Sequence, residues 1–351
     1  MLKPRLSWLL AFVPASLLAR LLSGPDLLVF VTAAAAILPL AGYIGRSTDD
    51  LARRMGPRVG GLLNATFGNV TELIIAIFLI LDDQLDVVKA SLTGSILGNL
   101  LLVLGISFLA GGVRHHEQRF NAQSAGIHAT SLALAVTGLL MPALFVLTTG
   151  RHDFLAREVV SGTVAAVLMT LYVAALLFTQ VTHEHLFRSP TQAERPEWST
   201  RKAVGILVAA TVLVALESEI LVSALEPALK DLGLSKFFVG LILVPIIGNA
   251  AEHSSAVMFA LKDKVDVTLE IAIGSSTQIA LFVAPALVFL SLAVGHPMDF
   301  VFSTFEVAAV GLSTFIVALI SLDGRTNWLE GAQLTGAYVI MAISFFFVRA
   351  I

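Results

Sequence analysis

A short polar motif occurs twice in this chain, at a spacing of 180 residues, and each copy interrupts a long apolar run. The first copy is Gly68-Asn69-Val70-Thr71-Glu72 and the second is Gly248-Asn249-Ala250-Ala251-Glu252. In each copy an amide and a carboxylate are three residues apart, which places them on one face of a helix. An ionised glutamate at the centre of a bilayer costs about 2.5–3.5 kcal/mol on insertion scales. Two such residues in matching contexts indicate a function.

The repetition extends along the chain. Between residues 68 and 95, aligning each residue with the one 180 positions later gives 10 identities in 28 positions. A membrane span needs about 20 apolar residues. The chain then has eleven candidate spans, at 6–23, 26–45, 60–81, 86–112, 122–148, 158–180, 202–225, 236–261, 266–293, 299–321 and 328–349. Spans 2–6 pair with spans 7–11. Because five is an odd number, the two repeats enter the membrane from opposite sides, as in many secondary transporters.

Composition agrees with a membrane fold. The chain is 57% hydrophobic and 13% charged, with a mean hydropathy of +0.88, whereas soluble domains carry about 25% charged residues. The absence of cysteine excludes disulfides, thiolate metal sites and thiol catalysis, and a net charge of −3 disfavours a nucleic-acid partner. We predict an all-α integral membrane protein with an N-terminal helix (1–23), a five-helix repeat (24–181), a linker (182–201) and an inverted second repeat (202–351).

Positive charge is distributed unequally between the two sides of the predicted membrane. Of the 22 Lys and Arg residues, 15 lie in the N-terminal tail or in the loops that follow even-numbered spans. Cytoplasmic segments carry such an excess, so the N-terminus and the linker are predicted in the cytoplasm and the C-terminus outside. The basic start superficially resembles a signal sequence, but residues 19–25 are a poor cleavage site. We therefore interpret the first apolar run as a span.

Each motif lies where a helix is expected to be interrupted. Proline removes an amide donor and glycine relaxes the backbone, so Gly68, Gly248 and Pro245 predict two helix breaks. Carbonyls freed at membrane depth are tolerated where a cation or water satisfies them. The candidate ligands are all oxygens and come from the motifs and from the spans that follow them: Glu72, Glu252, Asn69, Asn249, Ser95, Ser275, Asn99 and Gln278.

An all-oxygen set with two negative charges suits a hard divalent cation. Ca²⁺ fits better than Mg²⁺, which keeps its waters and demands a near-octahedral shell. One such motif alone is explained equally well as a polar contact between membrane helices. Two motifs in register, each followed by a polar Gly-Ser span, favour a binding site.

Four stretches resemble the signatures of the cation/proton exchangers, a family of the calcium/cation antiporter superfamily. They are LLNATFGNVTE (62–72), PIIGNAAEH (245–253), GSSTQIA (274–280) and DGRTNWLEG (323–331). The resemblance covers nearly the whole chain and implies Ca²⁺ transport driven by protons through a central site formed by both repeats. It also favours a role for His253 in proton coupling, as a relay or a gate, and a buried, hydrogen-bonded histidine without such a role is an equally open alternative. Members of the sodium/calcium branch carry an acidic residue near the position of Gln278, so the neutral amide favours protons. The short N-terminal tail is typical of prokaryotic members, which implies the inner membrane.

The resemblance leads to a hypothesis for coupling. Removal from water disfavours a charged carboxylate, and a bound cation favours it, so Glu72 and Glu252 would hold Ca²⁺ or protons in competition during alternating access. The expected partners are these two transported ions and the lipid bilayer, and no cofactor is expected. Whether the protein forms a homo-oligomer is left open. The alternatives are a Na⁺-coupled exchanger on the same scaffold and, with less support, a cation channel. An enzyme is disfavoured because the sequence contains no HExxH motif and no obvious nucleophile with a paired base.

Other ionisable residues are weaker candidates. Glu217, Glu219 and Glu306 lie within or near apolar spans, where an acid is functional by default. For these three residues a structural or water-exposed position is nevertheless favoured over a role in a proton path. We interpret residues 115–117 (His-His-Glu) as a solvated turn and the acids and histidines of 183–197 as a solvated linker rather than a regulatory Ca²⁺ site. Five aspartates flank the mouths of spans 3–4 and 8–9 and either attract cations or cap helices: Asp82, Asp83, Asp86, Asp263 and Asp266.

Overall fold

The computed structural model describes residues 6–150, 153–183 and 196–348, and this part of the chain is almost entirely helical. A 3₁₀ turn, Leu6–Ala11, precedes the first helix. Numbered in chain order, the helices are α1 Phe12–Leu21, α2 Asp26–Phe67, α3 Val70–Leu81, α4 Leu85–His115, α5 Ala122–Thr149, α6 Phe154–Thr182, α7 Thr200–Leu232, α8 Lys236–Ala260, α9 Val265–Ala293, α10 Thr304–Ile320 and α11 Trp328–Phe347. Two short strands, β1 Glu117–Arg119 and β2 Arg325–Asn327, pair in antiparallel fashion.

The helices confirm the prediction of an all-α membrane protein. Within the described residues, eight helices are long and apolar enough to cross a membrane. Three shorter apolar helices cover Trp8–Leu21, Val70–Leu81 and Thr304–Ile320, so the total agrees with the predicted eleven spans. The strands β1 and β2 were not predicted, because three residues are too few to show an alternating pattern.

The first repeat departs from the predicted span boundaries. We expected a loop between the spans 26–45 and 60–81, but α2 is continuous across it. Tertiary contacts explain the difference. Asp50 is 6% exposed and accepts hydrogen bonds from the backbone N–H groups of Glu197 and Trp198 at 3.0 and 2.8 Å. These two bonds anchor the middle of the polar stretch, and α2 continues through its four arginines.

The chain separates into two compact units, which we call unit 1 and unit 2. Unit 1 comprises Met1–Val88, Thr191–Glu252 and Arg349–Ile351; its described part holds α1 to α3, α7 and α8 as far as Glu252. Helix α2 packs along α7, and both α1 and α3 pack against α7 as well. A buried polar contact ties α1 to α7, because the Ser16 hydroxyl donates to the Glu217 carboxylate at 2.7–2.8 Å.

Unit 2 comprises Lys89–Pro190 and His253–Val348. Its helices α4 and α11 cross in close contact, since Gly105 and Gly331 leave no room for side chains. A Cβ on Gly331 would lie 2.1 Å from a backbone nitrogen of α4, and a Cβ on Gly105 would lie 2.7 Å from a backbone nitrogen of α11. Small residues permit such close helix packing in membrane proteins.

A buried ion cluster fixes the loop that leads into α10 of unit 2. Asp299 is 8% exposed and accepts hydrogen bonds from the side chains of Lys89 and Arg157. The Lys89 ammonium also donates to the carbonyl of Val301 at 3.1 Å. The two cations therefore neutralise a carboxylate that would otherwise be costly to bury.

Each unit contains helices from both predicted repeats, so the units and the repeats divide the chain differently. Local backbone geometry does recur at the repeat spacing: Asp83 and Asp263 both have left-handed backbones, with φ of 57° and 59°. The repeat boundaries and the inverted arrangement stay predictions. Residues 1–5 of the predicted N-terminal helix and residues 184–195 of the predicted linker lie outside the described residues.

Candidate cation site

The first motif lies at a helix junction in unit 1. Helix α2 ends at Phe67 and α3 begins at Val70, so Gly68 and Asn69 lie between two helices. Asn69 is 4% exposed, and its carbonyl accepts a hydrogen bond from the backbone of the first turn of α3. Glu72 lies in this first turn, where the helix dipole favours negative charge. The junction therefore presents a carboxylate at a helix N-terminus.

The second motif lies on a continuous helix, which differs from the predicted break at Gly248. The α-helical part of α8 runs through Gly248, and the irregular segment comes earlier, as a π-helical stretch Val239–Leu243. Pro245 lies two residues after the end of this stretch. Proline has no backbone N–H, so one hydrogen bond to the preceding turn is not made. The wider turn of the π-helical stretch accommodates this loss, and the helix continues beyond the proline.

The two motifs meet within unit 1. The side-chain nitrogen of Asn249 donates to Glu72 Oε1 at 2.5 Å. A Cβ on Gly248 would lie 2.9 Å from Glu72 Cγ, and a Cβ on Gly68 would lie 3.6 Å from Glu252 Oε1. Each glutamate thus packs against the glycine of the other motif. This reciprocal contact is the one expected of two repeats related by a pseudo-twofold axis.

Glu72 and Glu252 are the two charged ligands of the predicted cation site. Asn249 is 2% exposed, whereas Glu72 and Glu252 are half-buried. Among the described residues, no group of three or more acidic or histidine side chains is positioned to hold a metal. A cation at this position would therefore be bound by two carboxylates together with amide, carbonyl or water oxygens, a mixture that Ca²⁺ accepts.

The other predicted ligands belong to unit 2. Ser95 and Asn99 lie on α4, Ser275 and Gln278 lie on α9, and within this unit the two helices pack together. Asn99 is in a π-helical stretch of α4, and two further π-helical stretches of α9 flank the segment from Ser275 to Gln278. Such stretches occur frequently at functional sites. The assignment of these four residues as ligands stays a prediction.

Asn99 differs from ordinary buried polar residues. Its side chain is 0% exposed, and neither its oxygen nor its nitrogen has a hydrogen-bond partner among the described residues. A buried polar group left in this state costs about 1–3 kcal/mol. The cost indicates that the amide is retained for a reason other than packing.

His253 and the weaker acidic candidates have varied surroundings. The Nε2 atom of His253 is buried and has no hydrogen-bond partner in the part of the chain that the structure describes; its role in proton coupling stays a prediction.

The weaker acidic candidates differ in their contacts. Glu217 accepts a hydrogen bond from Ser16, as described above. Glu306 is 4% exposed and forms a capping box with Ser303 at the start of α10. Glu219 is exposed. Contacts within the fold therefore account for Glu217 and Glu306.

The polar loops at the end of unit 2 that carries β1 and β2 make structural contacts. The Asp263 carboxylate accepts from the Gln118 side chain at 2.8 Å, and Asp266 accepts from the backbone N–H of Asn121 at 2.7 Å. His115 contacts the carbonyl of Leu261 at 3.1 Å. The candidates of these loops and of the turn between α3 and α4 that are exposed are His116, Glu117, Asp82, Asp83, Asp86, Asp263 and Asp266.

One ionisable pair was missed by the sequence reasoning. His128 on α5 and Glu270 on α9 form an ion pair in unit 2, with 3.2 Å between Nε2 and Oε2. The available signal was the same one that identified the two motifs, namely an ionisable residue inside an apolar span. Neither residue belongs to a repeated motif, so the internal alignment did not select them.

Comparison with known proteins agrees with these features. The family model described as sodium/calcium exchanger protein matches residues 26–181 and 202–347. A Ca²⁺/H⁺ antiporter of Aphanothece halophytica is 44% identical over 97% of this chain and 95% of its own length. The Ca²⁺/H⁺ antiporter ChaA of Bacillus subtilis (strain 168) is 43% identical over 96% of this chain and 97% of its own length.

Solved structures show the same fold. The structure of native YfkE is 40% identical to this chain and superposes with a TM-score of 0.87, covering 98% of this chain and 100% of that one. The crystal structure of the H⁺/Ca²⁺ exchanger CAX, at 13% identity, superposes with a TM-score of 0.72 over 97% of this chain and 91% of that one. Because the family model matches both halves and the relatives match nearly the full length, the chain belongs to the sodium/calcium exchanger protein family.

Proposed function

We propose that this protein is a secondary active antiporter that exports Ca²⁺ in exchange for H⁺, with Glu72 and Glu252 binding the two ions in competition. The reciprocal packing of each glutamate against the other motif's glycine is the observation that carries the proposal. It brings two carboxylates from two repeats into one unit. Relatives at 43–44% identity that are Ca²⁺/H⁺ antiporters support the same function.

Competition between the ions follows from charge balance. Two ionised carboxylates in a membrane-spanning region carry a charge of about −2 that the bilayer disfavours. One Ca²⁺ neutralises that charge, and so do protons on the two carboxyl groups. The charged empty site is the unfavourable state, so the site changes sides with one cargo or the other. Alternating access then converts an inward proton flow into outward Ca²⁺ flow.

The surrounding residues have assigned parts in this proposal. Asn249 orients the Glu72 carboxylate through the hydrogen bond at 2.5 Å, and Asn69 supplies a buried amide at the helix junction. His253, next to Glu252 in the chain, exchanges protons with the site. For the four polar residues of unit 2, the role of Ca²⁺ ligand is the one predicted from the sequence.

The proposal includes an orientation. The distribution of Lys and Arg supports a cytoplasmic N-terminus and an external C-terminus, and the bacterial relatives support the cell membrane of a prokaryote. Na⁺ coupling on the same scaffold is the second candidate, because the family also includes sodium/calcium exchangers. The neutral Gln278 supports protons over Na⁺.

Purified protein in sealed liposomes tests the function directly. Ca²⁺ flux is measured first under a pH gradient and then under a Na⁺ gradient alone. The proposal expects flux that follows the pH gradient and does not respond to Na⁺. Flux driven by Na⁺ would replace the proposal with the sodium-coupled exchanger, and a Ca²⁺ conductance without either gradient would indicate a channel.

A further inference from the structure

The His128–Glu270 pair lies within two membrane-spanning helices of unit 2. His128 is six residues into α5 and Glu270 is five residues into α9, which corresponds to roughly 7.5–9 Å from the helix starts. Both starts are at the end of the unit that carries β1, because the Asn121 N–H before α5 bonds to Asp266 at the start of α9. The pair therefore lies a short distance inside one end of the unit.

The pair is one-sided in a protein built from two repeats. The positions that correspond to residues 128 and 270 at the repeat spacing are Ala308 and Ala90. Inverted repeats place corresponding positions on opposite sides of the membrane. The glutamates of the two motifs recur in both repeats, whereas this ionisable pair is replaced by two alanines in the other copy. A role in one half of the transport cycle explains that asymmetry better than a role in the central site.

The pair is open to its surroundings through one partner. The Glu270 side chain is 59% exposed and the His128 side chain is 15% exposed. A charged carboxylate that faces hydrocarbon is costly, so an exposed acid at this depth requires water from the nearby end of the unit. Glu270 is therefore the partner that the protein leaves uncovered, and His128 anchors it to α5.

Further charges lie on the elements that surround the pair. The electrostatic influence on His128 comes from Glu270, and that on Glu270 comes from His128. Helices α4, α6 and α10 and the loops at this end carry twelve further charged or titratable residues, and six of them have partners named above: Lys89, His115, Arg157, Glu306, Asp263 and Asp266. The twelve are Asp86, Lys89, Arg114 and His115 on α4, Arg157 and Glu158 on α6, Glu306 on α10, Glu117 and Arg119 on β1, Asp263 and Asp266 beside α9, and Arg325 on β2.

We propose that His128 and Glu270 form a proton-exchange site that serves one side of the membrane. A proton from water binds the Glu270 carboxylate or the His128 imidazole and passes between Oε2 and Nε2 as one bond to hydrogen breaks and the other forms. It returns to water when the pair is deprotonated. The site sets the pH response of transport on the side of β1 and β2, which is the predicted cytoplasmic side. This inference rests on the proposed Ca²⁺/H⁺ exchange.

The test measures Ca²⁺ uptake in membrane vesicles of defined orientation while pH is varied on one side at a time. For His128→Gln and Glu270→Gln, the pH of half-maximal uptake should shift by about half a unit or more on the β1/β2 side and stay constant on the other. The Ca²⁺ concentration for half-maximal uptake should change less than about twofold at the optimal pH. His116→Asn, which removes an exposed histidine at the same end, is the matched control and should leave both profiles unchanged.

Two further outcomes separate this inference from the proposed function. The double variant with the two residues exchanged, His128→Glu with Glu270→His, should restore the wild-type pH profile. If Glu270→Gln does not fold, the double variant and His128→Gln together provide the test. Normal exchange with unshifted profiles in His128→Gln, or equal shifts on both sides, would overturn the one-sided site. A wild-type protein without pH-driven Ca²⁺ flux would overturn the proposed function instead.

Discussion

Gly248→Ala tests whether the close packing of the two motifs determines cation binding. The added Cβ would lie 2.9 Å from Glu72 Cγ, whereas carbon atoms pack best at about 3.5–4.0 Å. The Glu72 side chain would therefore move by roughly 0.6–1.1 Å. Ca²⁺–oxygen distances span only about 2.3–2.6 Å, so a displacement of this size disrupts both a ligand position and the hydrogen bond from Asn249.

The expected result is a rise of about tenfold or more in the Ca²⁺ concentration for half-maximal transport, equivalent to about 1.4 kcal/mol. Transport is measured in proteoliposomes under a pH gradient. Gly205→Ala is the matched control: it lies on α7 of the same unit, and its added Cβ meets nothing within 4 Å. Glycine-to-alanine changes in helices favour folding by about 0.5–1 kcal/mol, so both variants should fold. Wild-type Ca²⁺ affinity in Gly248→Ala would refute the idea that the two motifs form one site.

Three further predictions concern the two glutamates, the contact between α1 and α7, and the membrane topology. Glu72→Gln and Glu252→Gln should each abolish exchange while thermal melting stays near wild type, and near-normal exchange in either would contradict the two-carboxylate mechanism. Ser16→Ala removes the hydroxyl donor to a buried carboxylate of α7 and should lower stability by about 1–3 kcal/mol; an unchanged melting temperature would argue against that bond. Because the chain has no cysteine, Glu117→Cys should be labelled from the cytoplasm and Asp153→Cys from outside, and the reverse pattern would invert the predicted topology.

Sequence patterns predicted the features that depend on local composition. Apolar length gave the number of spans, and the internal alignment selected Glu72 and Glu252, which the fold brings into one unit. The break at Gly68 was predicted from glycine alone, and the structure has a helix junction there. At Gly248 the same reasoning was wrong, because the π-helical stretch before Pro245 absorbs the irregularity that the sequence assigned to the glycine.

Features that depend on distant partners could not be predicted in this way. The polar stretch around Asp50 reads as a loop, yet the N–H groups of Glu197 and Trp198 bond to it and α2 continues. The bond between Asn249 and Glu72 joins residues 177 positions apart. The ion pair of His128 and Glu270 likewise depends on the packing of α5 against α9, which neither span reveals by itself.

Asn99→Leu separates the cost of a buried amide from its use. Leucine has the same branching at Cγ and removes two polar atoms that lack hydrogen-bond partners among the described residues. If the amide served only packing, stability would rise by up to about 1–3 kcal/mol with no loss of transport. Because Asn99 is a predicted Ca²⁺ ligand, we expect higher or unchanged stability together with a loss of Ca²⁺ flux.

Ser107→Ala is the matched control for this change, since Ser107 is 0% exposed on the same helix and its hydroxyl also has no partner in the described part of the chain. It should gain stability without losing flux. Thermal melting and proteoliposome flux are measured on both variants, and each of the four values is compared with its expected outcome. Full flux in Asn99→Leu would remove Asn99 from the site, because an amide that tolerates an apolar replacement cannot be supplying an oxygen to Ca²⁺. Loss of flux in both variants would mean that α4 itself, rather than the amide, is sensitive to substitution.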